Sequence, residues 1–234
     1  MTDEQLLDYV KHVLNYIKSD IDSYNSQGAI NRIGAGPYIL TTCSGIDLFG
    51  ALAVPETELS EKAKETNDLK RKSAAGSKWY IKKYMGKVKN DYKNPDISKS
   101  LYHDLRCGQV HEGIVKAGLL IGLNHEKYHL QLLSIRESSR SNDVIKVFFI
   151  DTCVFANDFL ESTEHFIHEI AHDDVLRSRA KDRLRAHIRN ANPVNLRSVP
   201  EVNIDVTEFG ELYNTSSSSP YDPGGFWLRH KLSI

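Results

Sequence analysis

The chain has 234 residues, 40% of them hydrophobic and 26% charged, with a formal net charge of −1. That is ordinary globular composition, and the length suits one domain with an appendage and a real core. Cys43, Cys107 and Cys153 form no CxxC, which excludes a disulfide framework and a thiolate zinc knuckle. The start, MTDEQLLDYVKHV, is too polar for a signal peptide, and the longest apolar runs fall short of a membrane span. The expectation is a cytoplasmic protein with no membrane partner.

In chain order, residues 3–24 read as a helix, because Leu6, Leu7, Val10, Val13, Leu14, Ile17 and Ile21 recur at steps of three and four. Thr2 and Gln5 have the spacing of a capping box. After the glycine-punctuated stretch Gly28 to Gly36, the segment "PYILTTCSGIDLFGALAV" from Pro37 to Val54 is apolar and long enough to be a buried helix. Gly45 and Gly50 in it allow another backbone to come close. Cys43 reads as a buried, inert thiol. Residues 55–77 have no apolar period and read as a polar surface loop.

"SKWYIKKYMGK", Ser77 to Lys87, reads as a short amphipathic helix with Trp79, Tyr80 and Tyr84 inward and Lys78, Lys82 and Lys83 outward. A further helix is expected over "LYHDLRCGQVHEGIV", residues 101–115. The period then changes to two: "KYHLQLLSI" and "VIKVFFID" form a hairpin across "RESSRSND". Helices follow at 152–173 and at 175–191, the second with a basic face. From Asn192 the pattern fails, and the closing "FWLRHKLSI" reads as a short anchor that docks back. The fold expected is mainly α: a helical bundle with one inserted antiparallel β-hairpin at about 127–151, in a domain over 1–191 with an irregular tail over 192–234.

Two charge blocks stand out against the neutral total. Lys70 to Lys93 holds nine Lys/Arg and one acid, and Arg177 to Arg189 holds six and one. Such blocks are either a nucleic-acid footprint or solvated helix faces.

Two motifs compete for the chemistry. His168-Glu169-Ile170-Ala171-His172 spells HExxH, the helical zinc-peptidase signature. Helix phase argues against a zinc peptidase. His168 and His172 each lie two residues past a member of the apolar stripe Phe155, Phe159, Phe166 and Ile170, which is about 200° around the helix. Asp173 and Asp174 follow at once, and no Glu occurs between Glu169 and Glu201 to complete the site. The expectation is a wet face with no resident metal, on which His165, His168 and His172 catch at most a stray ion.

The second motif is Arg106-Cys107-Gly108-Gln109-Val110-His111. In its helical setting the run "LYHDLRCGQVHEG" resembles the HEPN superfamily, whose hallmark is Arg-x4-6-His. "SGIDLFGAL" and "KWYIKKYM" look like matching upstream parts. The resemblance implies a dimerising helical bundle and, in many members, a metal-independent endoribonuclease of toxin–antitoxin or phage-defence systems; other members do not catalyse. On this reading Arg106 and His111 are the catalytic pair, with no cofactor. Lys82, Lys83 and His103 bind substrate, and the partners are RNA or a nucleotide and a second copy of the chain.

The chemistry is coherent. His111 can exchange protons at neutral pH, and Arg106 stays charged and can grip two phosphate oxygens. Five residues on an α-helix separate them by about 7.5 Å and ~140°, so a two-fold pair would be needed to bring both into one cleft. Cys107 stands where the family commonly has a polar residue after the Arg. The alternative without turnover is a HEPN-like nucleotide- or RNA-binding regulator.

Overall fold

The computed structural model describes residues 1–26, 35–65, 69–108, 118–136 and 144–190. Over these residues the chain is mainly helical with one small sheet. Helix α1, Asp3–Ser26, opens on the expected capping box. Thr2 N donates to Gln5 Oε1 (2.7 Å) and Gln5 N to Thr2 Oγ1 (3.1 Å), so two orphan amides of the first turn are satisfied. Its Leu6, Val10, Ile17 and Ile21 are buried.

Helix α2, Gly36–Ala53, is apolar on every side and runs through the middle of the bundle. Its Phe49 ring lies 5.2 Å from Phe166 and 6.2 Å from Phe159, centroid to centroid. Helix α3, Leu69–Tyr80, packs against α2 through two glycines. A Cβ at Gly50 would lie 2.4 Å from the Gly76 backbone, and one at Gly76 2.5 Å from the Gly50 backbone. Only glycine at both positions permits this approach.

Helix α3 corrects the expected loop at 55–77, which holds only for its first part. Residues 56–58 and 61–64 are single turns, but a helix runs on from Leu69. It escapes the apolar period because its inward side is written in small residues, Gly76 and Ser77, and in the buried stem of Lys72. Burial by close backbone approach needs no large side chain.

Past Tyr80 the helix widens into a π-helical stretch, Ile81–Met85, which buries Tyr84 as expected. Helix α4, Pro95–Ser100, is capped by Asn94, which accepts from Asp96 N (2.9 Å), and it too passes into a π-helical stretch, Leu101–Arg106. The helix expected to reach Val115 is described as far as Gly108.

The hairpin forms as expected, with β2 (Gln131–Arg136) antiparallel to β3 (Val144–Asp151). A further strand, β1 (Leu119–Gly122), pairs in parallel with β3, so the sheet order is β1-β3-β2. Four residues are too few to show a period. Leu119, Leu130 and Ile150 are buried against the helices.

Helix α5, Thr152–His172, starts on Asp151, whose carboxylate accepts from Cys153 N (3.0 Å) and Val154 N (3.1 Å). Phe155, Phe159, Phe166 and Ile170 are all at most 1% exposed, so the apolar stripe is the core face. Asp173 ends α5 and caps helix α6, Asp174–Asn190, accepting from Val175 N and Leu176 N at 2.9 Å each. The expected tail at 192–234 lies outside the described residues. No helix among the described residues is long and apolar enough to cross a membrane.

Candidate functional site

Arg106 ends the π-helical stretch that follows α4. Its Nε donates to Asp47 Oδ2 at 2.7 Å, and a second guanidinium nitrogen lies 2.6 Å from the same oxygen. The other carboxylate oxygen, Oδ1, accepts from Ser77 Oγ at 2.5 Å. The two side chains of the ion pair are 18% and 16% exposed. Three elements meet here: α2 brings Asp47, α3 brings Ser77, and the chain after α4 brings Arg106.

Tyr102, one turn before Arg106, lies under the guanidinium, 5.7 Å from its ring centroid. Lys78 Nζ sits 6.0 Å from the same ring, and the exposed His103 meets its edge at 5.0 Å. Burial is the largest single influence on the Arg106 pKa and works to lower it, but the charge and hydrogen bond of Asp47, with smaller effects from Tyr102 and Cys107, make the net shift upward. The arginine is therefore fixed as a cation. The cavity beside it, lined by Cys43, Ile46, Asp47, Ser77 and Tyr102 among others, holds about 10 Å³, at most one water molecule. Cys43 is buried, and burial pushes its thiol far above the ordinary value, as an inert thiol requires.

The expected partners of the motif divide. His111 lies outside the described residues. Lys82 is exposed, as expected. Lys83 is not a clean surface cation: it is ion-paired with Glu169, with Lys87 Nζ 3.4 Å from the second oxygen, and it lies 4.9 Å from the Trp79 ring. Asp104 takes the hydroxyl of Ser100 (2.7 Å) rather than pairing with Arg106.

The same ion pair bears on HExxH. Glu169, the residue that would polarise a zinc-bound water, is held by two lysines. His165, His168 and His172 are exposed, as helix phase predicts. The His168 and His172 rings stack at 4.4 Å, and His172 Nδ1 lies 2.7 Å from the His168 carbonyl oxygen. Among the described residues, no group of three or more His, Cys, Asp or Glu is placed to hold a metal ion.

The basic face of α6 turns out to point inward. Arg183 is 2% exposed and donates to the carbonyls of Ala51 (3.0 Å), Leu52 (3.3 Å) and Val54 (2.6 Å), and to Glu56 (2.5 Å). Arg179 donates to Ala53 O (2.8 Å), Arg177 to Ala171 O (2.7 Å) and Arg185 to Met1 O (2.7 Å). Arg177, Arg179 and Arg183 thereby satisfy orphan carbonyls and the negative dipole ends of α2 and α5, while Arg185 ties α6 to the chain before α1.

Sequence reasoning missed Asp47 and Ser77. The available signal was that Asp47 is the one charged residue in Pro37 to Val54. A lone carboxylate in a buried helix demands a cation. A second polar cluster was also missed. Tyr92 donates to Asp158 Oδ2 (2.7 Å), and its hydroxyl lies 2.9 Å from His129 Nε2, while Asp151 N donates to His129 Nδ1 (3.1 Å). Both ring nitrogens of His129 are thus engaged, Nε2 by Tyr92 and Nδ1 by the Asp151 amide at the end of β3. Beside it is an open cleft of about 460 Å³ rimmed by Lys89, Asp91, Glu126, Lys127 and Gln131. Comparison with protein-family models, with curated proteins and with solved structures finds no match.

Proposed function

We propose that this protein is a HEPN-like RNA-binding regulator that does not cleave its ligand. The observation that carries the reading is the double contact of Arg106 with Asp47 in a largely buried setting. A guanidinium that grips a scissile phosphate must turn its N–H groups to phosphate oxygens. Here they hold a carboxylate, and displacing it would leave a part-buried charge uncompensated.

Around this pair the surface stays cationic. Lys78, half-buried, and the exposed His103 meet the Tyr102 ring beside it, and Lys82 and Lys99 are exposed on the stretches of chain that follow Ser77 and precede Arg106. Lysines of this kind neutralise phosphates without reading sequence, so the binding expected is electrostatic and falls as salt rises. The resemblance of residues 101–113 to the HEPN pattern supports RNA or a nucleotide as the ligand class.

The test is single-stranded RNA binding in EDTA at about 50 and about 200 mM salt, with the RNA recovered and sized. The expected outcome is salt-sensitive binding without product, weakened by Lys82→Glu and unchanged by His111→Ala. Cleavage in EDTA that vanishes in His111→Ala would overturn this reading and assign catalysis to Arg106 and His111. Binding insensitive to salt and to Lys82→Glu would overturn it as well.

A further inference from the structure

His129 sits in a chain of hydrogen bonds that tolerates one protonation state. Its side chain is fully covered, at the end of the turn Glu126–Tyr128 that leads into β2. Nδ1 accepts from Asp151 N (3.1 Å), where β3 passes into α5. A backbone amide is always a donor, so this nitrogen carries its lone pair and the ring is neutral, with its proton on Nε2. Nε2 then donates to the Tyr92 hydroxyl (2.9 Å), which donates to Asp158 Oδ2 (2.7 Å). The bonds run one way, from amide to imidazole to phenol to carboxylate, and each polarises the next.

The ring therefore pins three pieces of chain together. It holds the 3-10 turn Asn90–Lys93 through Tyr92, α5 through that phenol and Asp158, and the end of β3 through Asp151. The open cleft of about 460 Å³ draws its lining from two of these pieces, Lys89 and Asp91 on one and Glu126, Lys127 and Gln131 on the other. The His129–Tyr92 bond joins the two. Leu130 comes next, with φ 61°, in the left-handed region that a leucine rarely adopts. Its amide is tied to Phe149 O (2.9 Å) and its side chain is buried. Such a conformation is held by its surroundings, so the turn relaxes once the pin is withdrawn.

A proton on Nδ1 would set two donors against each other across 3.1 Å, and the bond to Asp151 N is lost. The imidazolium has another partner waiting. Asp158 Oδ2 lies 3.6 Å from Nε2, just beyond hydrogen-bond reach. The Asp151 carboxylate does not compete, because Oδ1 caps α5 and Oδ2 takes His125 N (2.5 Å). The other charges near the ring, Lys89, Asp91, Glu126 and Lys127, line the open cleft, where solvent screens them and their signs balance.

We infer that His129 is a proton-operated latch. Neutral, it holds the turn at 126–130 on the Asp151 amide. Protonated, it leaves that amide for Asp158, and the turn comes free of the head of α5 along the cleft. The device is independent of RNA binding.

The test is NMR of the full chain from about pH 7.5 to about pH 5, the range in which an imidazole gains its proton. The nitrogen shifts of the His129 ring should report the Nε2–H tautomer at the upper end and the imidazolium at the lower. Over the same range the Asp151 amide, corrected for the intrinsic pH dependence of exchange, should lose about tenfold of its protection. The Phe159 and Phe166 amides of α5 should keep theirs and so certify the fold. Full-length His129→Gln should abolish the dependence, and His125→Gln should leave it intact. A His129 ring that stays neutral to about pH 5, or that titrates without any change at the Asp151 amide, would overturn the latch. So would an equal loss of protection in His129→Gln. Should that variant fail to fold, the ring shifts and the Asp151 amide of the unmodified chain decide by themselves between a latch and an inert core histidine.

Discussion

The two basic stretches of this protein look alike in sequence and do different work in the fold. In α6 the arginines reach inward: Arg177, Arg179 and Arg183 end on backbone carbonyls of α5 and α2, and Arg183 is buried. In the stretch from Lys70 to Lys93 the charge is split. Lys72 is buried on Ala63 O and Lys83 is tied to Glu169, while Lys82 stays at the surface. A run of positive charge is therefore not a footprint until its carbonyl and carboxylate partners have been subtracted. What this leaves at the surface of that stretch is a scattered set that includes Arg71, Lys82 and Lys93.

The contrast is broken most sharply at Arg183. Arg183→Met should cost about 3–5 kcal/mol in urea unfolding, because it strands Glu56 and three carbonyls at the end of α2. A cost under about 1 kcal/mol would show that the α6 cations are ornamental after all. Next comes Asp47→Leu, which leaves Arg106 without its counter-ion; about 2–4 kcal/mol is expected, with Asp47→Leu/Arg106→Met recovering a large part of it. No recovery in the double variant would mean that the two side chains act separately.

Asp173 offers a smaller and pH-dependent effect. The Leu176 amide foremost, then the Val175 amide with Lys83 and Arg179 nearby, hold its carboxyl below the ordinary value of 3.8 against an opposing effect of burial. A depressed folded pKa means that its contribution is complete above the unfolded value and is lost as pH falls through the folded one. Asp173→Ala should therefore lower stability at pH 7 but flatten the acid limb below about pH 4. Parallel acid limbs in the two proteins would refute the cap. The smallest effect belongs to the surface side of the contrast: Lys82→Glu should change stability by no more than about 0.5 kcal/mol while weakening RNA binding several-fold. A large stability loss there would move Lys82 into the inward class.

Helices α1, α2 and α5 were legible because their buried faces are built from large apolar side chains at helical spacing. Helix α3 was not, because Gly76 and Ser77 bury backbone rather than side chain. Strand β1 was too short to show a period. At the candidate site, Arg106 could be picked out from its motif, but its partner sits 59 residues earlier on another helix. No local pattern announces such a pairing, and only the isolation of Asp47 in an apolar segment hinted at it. The HExxH histidines were placed correctly by phase alone, whereas the engagement of Glu169 with Lys83 and Lys87 needed the third dimension.

The contact between Gly50 and Gly76 sets a mechanical rule for the molecule. Two backbones that touch without intervening side chains cannot slide by a residue, since any neighbouring Cβ would collide. Helices α2 and α3 therefore move as one plate, carrying Asp47 and Ser77 with them. Arg106 is hung on a different piece of chain, after α4. Any separation of Arg106 from Asp47 is therefore a movement of the α4 segment against a fixed plate, not a rearrangement within the plate.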